Sequence, residues 1–374
     1  MTALRHRVSL SLRGIVPQLP HLCYAHGMRF LSPDPLLRRE GEPDSSATPS
    51  PPPSRGGKGA GGLGLPLPLL LILSIILTAC TAGTTPTVPA TVAPLPVYSW
   101  PYDIVLAEPL WLADHLHDTD LRIIDLSEKP QYSLGHVPGA VHAYWQDLVE
   151  RNSDTYGRLA GRMEREKTFG NLAIGPNTTV VVYDRTDNRA AARFAWALWY
   201  AGHPKVRLLN GGLAGWAAAG EPIETTAHTA PRIPYRDLPD ESILINRCDM
   251  SHAVNDPNVV VLDVRTDREM AQTWDNTTQI GSIPNSRRLP WTMFIREPTV
   301  PVLRSPDDLR AMLASVGASP ERTIALYGTF SNDTGIPFFA LKALGYPNVR
   351  LYDGGWAEWG VSPALVPTRR QPCG

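Results

Sequence analysis

One frame occurs twice in this chain. Residues Thr179–Gly220 read TVVVYDRTDNRAAARFAWALWYAGHPKVRLLNGGLAGWAAAG, and Thr323–Gly360 read TIALYGTFSNDTGIPFFALKALGYPNVRLYDGGWAEWG. Each is an apolar run ending in Tyr, a short polar loop, an apolar helical stretch closed by Gly202 or Gly345, then VRL, two glycines and an aromatic turn. Trp216 and Trp359 take the same place in the two copies. Self-similarity over so long a separation implies a duplicated domain rather than a short-period solenoid.

The β-rich runs at 122–126, 179–183, 206–209, 259–264, 323–327 and 349–352 alternate with helical patterns. Alternation of this kind specifies a mostly parallel sheet with helices on both faces, so the fold class is α/β, twice. Gly202 and Gly345 stand where a helix C-terminus needs a residue free of Cβ strain. The expected domains are 101–228 and 240–367.

The chain has 374 residues, 43% of them hydrophobic and 19% charged, enough for about two cores. Its net charge of -1 leaves no broad basic footprint for nucleic acid. The cysteines, Cys23, Cys80, Cys248 and Cys373, form no CxxC pair and have no His at ligand spacing, so neither a metal site nor a disulfide framework is indicated, and no cofactor.

The first hundred residues have a different character. Residues 1–62 include a Pro-, Gly- and Ser-rich segment that reads as disorder or as an extension upstream of the true start. In 63–80 the run LPLPLLLILSIILTAC has roughly 15 apolar residues, short for a span but suited to a signal-peptide core. It ends in Leu77-Thr78-Ala79-Cys80, which resembles the lipobox of bacterial lipoproteins. The resemblance implies lipidation at Cys80, a Pro/Thr-rich tether over 81–100, and an exported protein anchored on the outer face of the membrane.

The segments GHVPGAVH, VVVYD, LLNGGLAGW, LDVRTDRE and NVRLYDGGWAEWG, in this order, resemble the tandem rhodaneses, the thiosulfate sulfurtransferase family, over about 101–367. The resemblance implies a structural N-terminal domain and a C-terminal domain with a catalytic Cys directly after the strand ending at Tyr327. Such a thiolate attacks the outer sulfur of thiosulfate, releases sulfite and carries the sulfur as a persulfide. Backbone N–H groups of the loop and the following helix N-terminus stabilise the anion.

In this chain the position after Tyr327 is Gly328, and the loop continues Thr329-Phe330-Ser331-Asn332-Asp333. Where the family usually has Arg or a small hydroxyl residue, Asp333 places a carboxylate expected to repel an anionic substrate. The first copy has Asp184 at the equivalent position, where a carboxylate can fill the cradle by accepting the loop's own N–H groups. Arg189 reads as a surface or capping cation. Asp263, Arg265 and Glu269 read as one ion network at a strand end, His136 as a locally bonded turn residue, and Trp291, Trp356 and Trp359 as cleft walls or core.

Three readings follow from these residues. The favoured one is a rhodanese-like lipoprotein without catalysis, binding a small oxyanion or sulfur compound at 328–333, or a protein partner. The second is an active sulfurtransferase using another thiol, for which Cys248, itself read as a half-buried structural residue, is the nearest option. The third is a purely structural domain pair at the cell surface.

Overall fold

The computed structural model describes residues 95–150, 157–272, 279–296 and 298–361. The upstream extension, the apolar run to Cys80, the tether before residue 95, Cys23, Cys373 and residues 362–367 lie outside the described residues. Among the described residues no helix is long and apolar enough to cross a membrane.

The first domain has strands β1 (Leu106–Ala107), β2 (Leu121–Asp125), β3 (Val141–His142), β4 (Thr179–Tyr183) and β5 (Val206–Leu209). Its helices are α1 (Pro109–His115), α2 (Lys129–Ser133), α3 (Arg162–Asn171), α4 (Arg189–Tyr200) and α5 (Gly212–Ala218). The second domain repeats the plan with β6 (Leu244–Ile245), β7 (Val259–Asp263), β8 (Arg287–Arg288), β9 (Thr323–Tyr327) and β10 (Val349–Tyr352). Its helices are α6 (Arg247–Ala253), α7 (Asp267–Met270), α8 (Pro306–Ser315), α9 (Gly335–Ala343) and α10 (Gly355–Trp359).

The two sheets run β1-β5-β4-β2-β3 and β6-β10-β9-β7-β8, and every pairing is parallel. The long strands are those the apolar runs mark. The two-residue strands β1, β3, β6 and β8 are too short to produce a period, and only pairing reveals them.

Side chains alternate between faces along each strand, and both faces are covered. In β4, Val180 and Val182 join one core while Val181 and Tyr183 join another with Leu112 of α1 and Trp216 of α5. In the second domain Ala325 and Tyr327 pack with Met250 of α6 and Trp356 of α10. The remaining faces merge into one core across both domains, containing Phe194 and Trp196 of α4 and Phe338 and Phe339 of α9. Burying each such side chain contributes roughly 1.5–3 kcal/mol.

Helices α4 and α9, each following the loop of its copy, thus pack against one another. Trp199 meets Phe338 edge-on at 5.7 Å. A Cβ on Gly335 would lie 2.8 Å from both the carbonyl carbon and the Cβ of Ala192, so only glycine permits this approach. Both helices end as their glycines specify. Gly202 has φ +81° and Gly345 φ +83°. His203 N–H donates to Leu198 O, and Tyr346 N–H to Leu341 O, as in a Schellman cap. This packing brings the loops 184–189 and 328–333 together at the domain interface.

Candidate functional site

The second loop begins where β9 ends. Tyr327 OH donates to Asp263 Oδ2 at 2.7 Å, and the α10 turn holds the loop from beneath: Trp356 N–H donates to Gly328 O and Ala357 N–H to Thr329 O. A Cβ at residue 328 would stand 2.6 Å from the Cβ of Asp333, 2.7 Å from Phe330 O and 2.9 Å from Asp333 Oδ2. The loop is therefore closed around a residue with no side chain.

Asp333 does the closing. Its Oδ2 accepts Thr329 N–H at 3.1 Å, and its Oδ1 accepts Arg189 Nη1 at 2.9 Å. The sequence reading placed this carboxylate as a repelling charge near the loop's end. In the structure it turns inward, occupies the cradle and is paired with a cation from the other domain. Burial, and then the charge of Glu269, push its pKa up to about 7, against the opposing pull of Arg189 and the Thr329 N–H.

The first loop is filled in the way expected of Asp184. Its Oδ1 accepts Thr186 N–H at 2.7 Å, Thr186 Oγ1 at 2.9 Å and Asn188 N–H at 3.0 Å, while Oδ2 accepts Ala191 N–H at 3.2 Å. Burial, and then Asp187, raise the Asp184 pKa, and the loop donors offset part of that rise. Asn188, at φ 65°, closes the loop through Asp184 N–H and Leu209 O. Both copies thus hold a carboxylate in the cradle, supplied from its first position in one and its last in the other.

Arg189 corrects the reading of a surface or capping cation. It donates to Asp187 Oδ2 at 2.9 Å, Glu269 Oε1 at 3.1 Å and Asp333 Oδ1 at 2.9 Å, and its guanidinium lies 4.5 Å from the centre of the Trp291 ring. Burial works against its charge, but the three carboxylates outweigh burial and raise its pKa. One turn on, Arg193 donates to Ser331 Oγ at 2.7 Å and Asp353 Oδ1 at 2.5 Å, and Ser331 Oγ donates to Gly157 O. Arg193 and Asp353 escaped the sequence reading, whereas Ser331, expected as part of an anion cradle, has its hydroxyl taken up by Arg193 and Gly157. The signal was Arg189 and Arg193 at i, i+4, which places two cations on one helix face.

The network assigned to Asp263, Arg265 and Glu269 is really two. Asp263 and Arg265 form a buried two-pronged pair, Nε–Oδ1 2.9 Å and Nη2–Oδ2 2.6 Å. Glu269 instead completes a capping box with Thr266 and faces Arg189. Trp291 does line the interface beside Arg189, whereas Trp356 packs under Arg265 and Trp359 against Tyr352 in the core. His136 is fully buried, with its two ring nitrogens each 2.9 Å from a backbone carbonyl, of Tyr132 and of Thr226. Cys248 is half-buried as expected but disulfide-bonded, against the expectation of no disulfide, and so offers no thiolate.

The Rhodanese-like domain model matches twice, at residues 108–219 and 249–361. The chain is 32% identical over 277 residues to the sulfur carrier protein TtuD of Thermus thermophilus, covering 68% of this chain and 93% of that protein. It is 30% identical over 261 residues to a thiosulfate sulfurtransferase of Pseudomonas aeruginosa, covering 69% and 95%. Among solved structures, the 3-mercaptopyruvate sulfurtransferase SseA of Escherichia coli superposes with a TM-score of 0.60 at 27% identity, covering 67% of this chain and 98% of that one. Two matches in tandem, on two sheets of identical strand order, establish that this chain belongs to the rhodanese family.

Proposed function

We propose that this rhodanese-family protein does not transfer sulfur at its C-terminal loop, and that the two facing loops instead lock the domains of a non-catalytic binding module for a protein partner. The observation that carries this is the Asp333 carboxylate seated beside Gly328, on the loop donor and the Arg189 cation that an anionic substrate would need. A glycine has no atom to carry a persulfide, and Phe330 O blocks the same space from the backbone side. Export and anchoring through Cys80 belong to the same reading. The apolar run before Cys80 supports them.

A second reading, sulfur transfer through another thiol, is favoured by the relatives' names. The purified protein, given thiosulfate and cyanide or 3-mercaptopyruvate, separates the two. The first reading expects product at the background of a protein-free control. Turnover well above that, lost in Cys248→Ser, supports the second and overturns the first. Calorimetry with thiosulfate and sulfate near pH 7 is expected to show no binding at 328–333. Saturable heat that disappears in a Ser331→Ala variant would return the loop to anion binding.

A further inference from the structure

Three side chains from two distant segments of the first domain converge on one point. His136 lies in the turn before β3, and Glu224 and His228 lie on the extended segment after α5. The two segments pair through an antiparallel bridge, His136 N–H to Glu224 O and Glu224 N–H to His136 O. One donor atom from each of the three side chains lies within 4.8 Å of the other two. His228 Nε2 is 2.6 Å from Glu224 Oε1, and His136 Nε2 is 3.8 Å from the same oxygen.

The orientation of His136 adds an independent observation. Its ring is fully buried and stacked on Tyr132 at 3.9 Å, and both ring nitrogens face backbone carbonyls at 2.9 Å: Nδ1 faces Tyr132 O and Nε2 faces Thr226 O. A neutral imidazole carries one N–H and can satisfy one of them. With the proton on Nδ1, the Nε2 lone pair points at Thr226 O and toward the carboxylate of Glu224. Facing lone pairs repel, and a cation between them turns the arrangement into an attraction. A ring N–H given to a backbone carbonyl, with the other nitrogen 3.8 Å from a carboxylate, is how metal-ligating histidines are oriented.

We propose that His136, Glu224 and His228 form a site for a divalent zinc-class transition ion that clasps the segment after α5 to the turn before β3. Two imidazoles and one carboxylate are a donor set for such an ion, with Thr226 O or water in the fourth position. Bonds of about 2.0–2.2 Å set neighbouring donors about 3.3 Å apart in a tetrahedron, a value between the two separations found here. Reaching it closes the His136 contact by about 0.5 Å and opens the His228 contact by about 0.7 Å, with the two imidazole nitrogens, within 4.8 Å of each other, adjusting to the same separation. The side chains of Glu224 and His228 are 30% and 38% exposed, so they can make that adjustment and admit the ion, while His136 anchors it from the buried side. Glu224 is itself positioned by Gly139 N–H, which donates to Oε1 at 2.5 Å.

The test is calorimetry of tag-free, chelator-treated protein with zinc chloride, and in parallel the thermal unfolding midpoint with and without zinc. One ion is expected to bind per chain and raise the midpoint. His228→Ala and Glu224→Gln, both at half-exposed positions, are expected to weaken binding at least about tenfold and abolish the rise. A cobalt titration of the parent is expected to give visible bands of a four-coordinate ion, absent in His228→Ala. Lack of binding, or zinc binding of unchanged affinity in both variants, overturns the proposal. Should His228→Ala fold poorly, His228→Gln gives the same comparison.

Discussion

Restoring a sulfur atom to the second loop is the sharpest test of how far that loop has changed. In Gly328→Cys the new Cβ meets three atoms at 2.6–2.9 Å, two on Asp333 and one a backbone carbonyl. Contacts this close force the loop to shift. Overpacking of a well-packed site costs about 1–3 kcal/mol, and in a protein of this size each kcal/mol lowers the unfolding midpoint by about 2–4 °C. The expected result is a midpoint lower by several degrees in Gly328→Cys, an equal loss in Gly328→Ala, and thiocyanate production at background. Adding Asp333→Gly removes two of the three close atoms and the competing carboxylate. The double variant is therefore expected to be more stable than the sum of the single changes by about 1 kcal/mol or more. Differential scanning calorimetry and a thiosulfate–cyanide assay read both quantities. If Gly328→Cys unfolds at the parent's midpoint and turns over thiosulfate, the cradle is open and the reasoning fails.

Three further outcomes are expected. With the Asp333 pKa up at about 7 when folded, between about pH 4 and 7 the native state holds a proton that the unfolded chain has lost. The Asp333 contribution to stability is thus fully present below about pH 4 and is lost as pH rises through 7, by at most on the order of 4 kcal/mol, and Asp333→Asn should flatten that fall in urea unfolding at pH 5 and 8. Arg189→Met strands the buried Asp333 and the half-buried Glu269 and should cost about 2–4 kcal/mol by urea unfolding at pH 8, with most of the loss recovered in Arg189→Met/Asp333→Asn. Asp184→Ala leaves the N–H groups of Thr186, Asn188 and Ala191 without their acceptor and should cost about 2–4 kcal/mol, read as a lower urea midpoint at unchanged slope.

Much of this molecule is legible along the chain because its signals are local. The apolar runs of β4 and β9, the Tyr that ends each, and Gly202 and Gly345 at the helix ends report backbone conformations that neighbours in sequence dictate. Asp184 is legible for the same reason, since the donors it accepts lie two, four and seven residues away. The duplication then fixes two α/β domains and two loops at corresponding places.

What no window of sequence contains is how the copies face one another. Docking α4 on α9 sets Arg189 against Asp333, 144 positions away, and turns a charge expected to repel a ligand into one that is already paired. The same docking gives Arg193 its partners Ser331 and Asp353, and folding the segment after α5 back onto the first domain brings His228 and Glu224 to His136. The sequence by itself determined the two frames and left residue 328 without a reactive side chain. Only the tertiary structure decided what occupies the space beside it, because a buried carboxylate goes where a cation and an N–H donor await it, and those were brought together by packing across the domain interface.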